Sequence, residues 1–131
     1  MARRQPHLPR PTDAELEVLR VLWEVGPATV RSVHDVLSRG RDIGYTTVLK
    51  TMQIMADKGL LSRDESSRSH IYEPRLEREH TQRQLMRDLV ERAFSGSASG
   101  LVMSALTDKP VDPDELAEIR RLLDALEGDG S

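Results

Sequence analysis

The chain has 131 residues, no cysteine, four aromatic residues besides histidine and a formal net charge of −3. That length suits one domain with an appendage or two small domains. The absence of cysteine excludes disulfide staples and thiolate metal or redox sites, and so few aromatic rings argue against stacking of single-stranded nucleic acid. No apolar run approaches membrane-spanning length and the N-terminus lacks an apolar signal core, so a cytosolic protein is expected. The charge is unevenly divided. Residues 1–75 hold 12 Lys and Arg against 10 Asp and Glu, whereas residues 76–131 hold 7 against 12. Only the first part suits a polyanionic partner.

Residues 1–11, MARRQPHLPRP, are rich in Arg and Pro, and are expected to form a disordered basic tail. A helix should begin at Thr12, which forms a capping box with Glu15. Leu16, Val18, Leu19, Leu22 and Trp23 supply its buried stripe, Trp23 serving as a core anchor, and Gly26-Pro27 ends it. Thr29 caps a second helix running to about Ser38, with Val30, Val33, Val36 and Leu37 inward and Arg31, Ser32 and Asp35 outward. Arg39, Gly40 and Arg41 turn the chain into the stretch on which the rest is organised.

That stretch is IGYTTVLKTMQIMADKGLL, from Ile43 to Leu61. Tyr45, Val48, Leu49, Met52, Met55 and Ala56 recur at helical spacing and predict one apolar face. Thr46, Thr47, Lys50, Gln53 and Asp57 form the opposite face, with Thr51 and Lys58 at its margins. Hydroxyls, an amide and a cation on one face can bond base edges and phosphates in a major groove. The same pattern also fits an amphipathic helix that meets only water. Two helices joined by a Gly-containing turn make a helix-turn-helix. After Gly59, LLSRDE and SHIYEP read as two strands around the turn Glu65–Arg68. A hairpin at this point is a wing, and it would bring Arg63 and Arg68 towards an adjacent phosphate backbone. Each of these arginines, taken singly, reads as a solvated surface residue.

Beyond Glu77 the pattern changes to a long polar helix. Its stripe is Leu85, Met86, Leu89, Val90, Ala93 and Phe94, and it ends near Ser95-Gly96-Ser97. Leu101, Val102, Met103 and Leu106 make a short apolar piece. Asp112-Pro113-Asp114-Glu115 is a helix start, followed by Leu116, Ile119, Leu122, Leu123 and Leu126 at helical spacing. Residues 76–131 hold too little apolar surface for a free-standing core, so pooling of the stripes of two chains in a homodimer is expected. The alternative is that these helices fold back on the first domain.

No phosphate-binding glycine loop, zinc-protease helix or nucleophile elbow is present. Glu77, Glu79 and His80 could donate to a metal but read more simply as solvated side chains at a helix start. No metal, cofactor or enzymatic activity is expected. Asp112, Asp114 and Glu115 are explained by helix capping.

From Thr12 to Leu126 the chain resembles the BlaI/MecI (penicillinase repressor) family of bacterial transcription regulators. The resemblance rests on TDAELEVLRVLWEVGPATVRSV, YTTVLKTMQIMADKGLL, RDESSRSHIYEP and LVMSAL…DPDELAEIRRLL. It implies a mainly α protein: a winged helix-turn-helix over 12–75, with three helices and a β-hairpin wing, and a helical dimerisation domain over 76–131. It further implies repression from a palindromic operator, relieved when a membrane sensor-protease triggers cleavage in the C-terminal domain. Thr46, Thr47 and Lys50 match positions where the family's recognition helix meets bases and phosphates. Ile54 stands where relatives often carry a basic residue, and Leu49 where some carry arginine. Ile54 could pack on a thymine methyl. The cysteine-rich tail of copper-responsive relatives has no counterpart. Residue-by-residue matching puts the scissile bond between Ser104 and Ala105, where relatives carry Asn followed by Phe.

The rival readings are a winged helix used only for protein contacts, and an enzyme with a dispersed active site. A repressor would touch phosphates through Arg31, Lys50, Arg63 and Arg68, so binding to duplex DNA that weakens with salt separates the first of these from a repressor.

Overall fold

Both halves of the Thr12 capping box form. The Thr12 amide donates to Glu15 Oε1 at 2.9 Å and the Glu15 amide to Thr12 Oγ1 at 3.2 Å, which opens α1 (Asp13–Val25). The structure, a computed structural model, describes residues 9–129. Most of the expected basic tail therefore lies outside the described residues, and Pro11, at its end, is buried. Gly26 ends α1 at φ 88°, a left-handed conformation that a side chain would oppose. Thr29 caps α2 (Val30–Leu37) by accepting from the Ser32 amide at 3.1 Å. The stretch from Ile43 to Leu61 contains α3 (Tyr45–Lys58), and Gly59 at φ 86° stops it. Leu60 donates back to the Met55 carbonyl at 2.9 Å, so the chain leaves the helix already turned towards the hairpin.

That hairpin pairs β1 (Leu61–Asp64) with β2 (Ile71–Pro74) in antiparallel register, Leu61 opposite Pro74 and Arg63 opposite Tyr72. A third segment joins it. Ala28, between α1 and α2, exchanges both backbone hydrogen bonds with Tyr72 at 3.0 and 2.8 Å. The sequence does not predict this pairing, because the segment Gly26-Pro27-Ala28 has no strand pattern. It clamps the start of α2 to the wing. Val18, Leu22, Val33, Val48, Met52, Met55, Leu61 and Tyr72 are fully buried in one core beneath α3. Trp23 is half-buried rather than central. It packs against the rim of that core, and its indole N–H donates to the Leu76 carbonyl at 3.4 Å.

The chain divides into two compact units, 1–85 and 86–131. The division falls inside α4 (Arg78–Ala93) instead of between Arg75 and Leu76. The Trp23–Leu76 bond and the burial of Thr81 account for the difference, since both tie the beginning of α4 to the first unit. In the second unit, Ser95 at φ 50° and Gly96 at φ 84° turn the chain out of α4. Ser97 then caps α5 (Ala98–Asp108) by accepting from the Gly100 amide at 3.0 Å. The expected short apolar piece is therefore an 11-residue helix. Asp112 Oδ1 accepts from the Asp114 amide at 2.7 Å and opens α6 (Pro113–Asp129). No described side chain of α5 or α6 is buried. Met103, Leu122 and Leu126 are 64%, 59% and 60% exposed.

Candidate nucleic-acid interface

Two faces of α3 have opposite fates. Val48, Met52 and Met55 are buried, Leu49 and Ala56 pack partly against the same core, and this fixes which side chains point outward. Thr46, Thr47, Lys50, Gln53, Ile54 and Asp57 are exposed, Ile54 at 50%. Thr51 is half-buried and its hydroxyl donates to the Thr47 carbonyl at 2.9 Å, so its proton is already committed within the helix.

Tyr45 departs from the expected apolar face. It stands at the first turn of α3, where the helix has not yet reached the core, and is 37% exposed. Its ring is wedged between two residues of α2. The Arg31 guanidinium carbon lies 4.7 Å from the ring centroid, and the His34 ring meets it edge-on, 5.8 Å away at 74°. His34 Nε2 lies 2.8 Å from the Ile43 carbonyl, which can only accept, so that nitrogen carries the proton. The bond pins the turn leading into α3. Arg41 also bonds Glu17 at 3.2 Å, fixing the same turn to α1.

The cations differ in what they are free to do. Lys50 and Arg68 are exposed and have no ion-pair partner among the described residues. Arg68 lines an open groove of about 410 Å³ between α3 and the wing, together with Arg31, Tyr45 and Gln53. Arg63 lies on neither wall of that groove. A hydrogen bond to Tyr72 holds its guanidinium pKa above the ordinary value, and Glu65 Oε1 sits 2.7 Å from its Nε. The turn beyond is braced by Asp64. Hydrogen bonds from Ser66 to this carboxylate, including one from the amide at 2.9 Å, lower its pKa. Of the residues expected to meet DNA, the structure therefore gathers Arg31, Gln53 and Arg68 around one groove. It aligns Thr46, Thr47, Lys50 and Ile54 on the adjoining helix face, and sets Arg63 apart in an ion pair.

Two further residues shape the site in ways that their sequence signals do not show. Glu15 uses its second oxygen to bond Lys58 Nζ at 2.8 Å, holding the end of α3 to the start of α1. Tyr45 is concealed by its apolar neighbours in the sequence. Among the described residues, no three His, Cys, Asp or Glu side chains are gathered to hold a metal ion, and no helix is long and apolar enough to cross a membrane.

A helix-turn-helix whose second helix exposes polar side chains beside a β-hairpin defines a winged-helix domain. The penicillinase repressor family profile matches residues 11–125, and the chain belongs to that family. It is 35% identical over 121 residues to the transcriptional regulator BlaI of Mycobacterium tuberculosis, covering 92% of this chain and 87% of that one. It is 22% identical over 117 residues to the penicillinase repressor of Bacillus licheniformis, covering 89% and 91%. The solution structure of the DNA-binding domain of the repressor BlaI superposes with a TM-score of 0.50 at 26% identity, over 56% of this chain and 90% of that one.

Proposed function

We propose that this protein is a transcriptional repressor that binds a palindromic operator in duplex DNA as a homodimer in the cytoplasm. The observation that carries the DNA-binding reading is the outward face of α3. Thr46, Thr47 and Gln53 offer hydroxyl and amide groups to base edges, and Lys50 offers a cation to phosphate. Arg31 and Arg68 flank that face across the groove. The relatives named as a regulator and a repressor support the same reading. In this account α3 enters the major groove and the wing follows the neighbouring backbone, where Arg68 serves as the phosphate contact. Arg63, paired with Glu65, contributes less.

Dimerisation is supported by the second unit, several of whose large apolar side chains are uncovered in the single chain. Leu89, Val102, Leu122, Leu123 and Leu126 are all exposed. Exposed apolar surface of this extent marks an association face. In the pooled core Leu85, Phe94, Leu101, Leu106, Leu116 and Ile119 supply the remaining contacts, whereas Val90, expected there, is already buried in the single chain.

Release is proposed to follow cleavage between Ser104 and Ala105, set off by a membrane sensor-protease system. Both residues are exposed on α5. A protease needs an extended strand, so α5 must first unwind, breaking the Thr107 hydroxyl bond to the Met103 carbonyl at 2.9 Å. The cut would detach α6 and its leucines from the dimer core.

Footprinting on the promoter upstream of the protein's own gene tests this reading. A protected region with two-fold symmetry is expected. Absence of protection on any promoter fragment of the locus would rule it out.

A further inference from the structure

Tyr45 is the one aromatic side chain of α3, and the core does not explain it. It is exposed, yet held by two neighbours: the Arg31 guanidinium lies over its ring, and the His34 ring meets it in a T-shaped contact. His34 is itself fixed by its bond to the Ile43 carbonyl and by Ser38 Oγ at 3.0 Å from the same nitrogen. The chain of contacts therefore runs from the turn before α3, through the imidazole and phenol rings, to an arginine that lines the α3–wing groove together with Arg68. An arginine side chain free in solvent loses rotamer entropy when it is fixed. One already lying on an aromatic face loses less, and its N–H edge remains available to a phosphate. The ring face attracts the cation without neutralising it, which a carboxylate partner would do.

We infer that Tyr45 is a positioning residue for DNA binding: its ring, not its hydroxyl, holds Arg31 ready for a backbone phosphate at the mouth of the α3–wing groove. The inference rests on the DNA-binding reading and adds to it a residue that works through another. Arg31 and Tyr45 then act as one unit. Removing the ring costs affinity only while the guanidinium is present, and the loss is the same on operator and random duplex because a phosphate carries no sequence.

The test is a double-mutant cycle in the full-length protein, reading dissociation constants for operator and random duplexes across a salt series. Arg31→Ala is expected to weaken binding about tenfold, and Tyr45→Ala about three- to tenfold. The double variant should be no weaker than Arg31→Ala alone. Tyr45→Phe should bind like the wild type, and an unfolding midpoint of Tyr45→Ala close to that of the wild type excludes a loss caused by general misfolding. Arg31→Ala should reduce the salt slope by about 0.9 for each phosphate left without its cation. Losses that multiply in the double variant would overturn the inference, as would a Tyr45→Phe defect equal to that of Tyr45→Ala. Either result with a wild type that binds DNA leaves the functional reading intact. A wild type indifferent to duplex DNA would remove both.

Discussion

Glu15 Oε2 lies 2.8 Å from Lys58 Nζ, joining the first turn of α1 to the last turn of α3. Glu15 is buried and spends its other oxygen on the Thr12 amide, so one carboxylate starts one helix and anchors the end of another. Burial alone would raise its pKa. The bonds from Lys58 and Thr12 outweigh that effect and leave the carboxyl below its ordinary value.

The sign of the pH dependence follows. A lowered carboxyl pKa contributes stability that is complete above the unfolded value, about 4.3, and is lost as pH falls through the lower folded value. Lys58→Met leaves Glu15 buried without its cation. It should destabilise by about 1–2 kcal/mol at pH 7, a range reduced because Lys58 is partly solvated. Denaturant titrations should show the gap to wild type narrowing below about pH 4. A gap constant with pH would mean that the pair contributes nothing electrostatic.

Neighbouring residues of α3 should fail in different ways. Met52 is fully buried, and Met52→Ala should cost about 2–5 kcal/mol of stability. Gln53 is exposed, and Gln53→Ala should leave the unfolding midpoint nearly unchanged. If its amide reads a base, the same variant reduces preference for operator over random DNA by about 1–3 kcal/mol. A stability loss at Gln53 matching that at Met52 would contradict the orientation of the helix.

Much of this is legible in the residues. Thr12 with Glu15, Thr29, Gly59 and Asp112-Pro113 mark helix ends through local chemistry, and each sits where its element begins or stops. The buried face of α3 follows from the spacing of Val48, Met52 and Met55. What the sequence hides is long-range. The Ala28–Tyr72 bridge and the Glu15–Lys58 pair join residues far apart in sequence, and no periodicity encodes them. Tyr45 departs from its expected face because spacing identifies a face but not where along a helix the core begins. The chain divides later than its composition suggests because the indole of Trp23 holds Leu76.

Dimerisation should depend on the uncovered leucines. Leu122→Glu combined with Leu126→Glu should yield a monomer in sedimentation experiments without unfolding the first unit. Loss of the linked second half-site should then weaken operator binding by about 10²–10⁴. A charged variant that remains dimeric would place the interface elsewhere.

Induction should leave a cut chain. Immunoblots of derepressed cells are expected to show a fragment ending near Ser104, and substitutions that rigidify α5 should slow its appearance. A chain that stays full-length while its operator is active would exclude proteolysis as the switch.

On the proposed reading, the outward face of α3 grips a polyanion and reads it. The most direct test is a salt titration of the full-length protein on its operator duplex, beside Lys50→Ala and Thr46→Ala. Release of roughly 6–10 counterions predicts an affinity that falls by orders of magnitude between about 50 and 200 mM salt. Lys50→Ala should flatten that slope on every sequence, while Thr46→Ala should keep the slope and lose operator preference. An affinity indifferent to salt, with both variants unchanged, would contradict the account and leave a winged helix built for protein contacts.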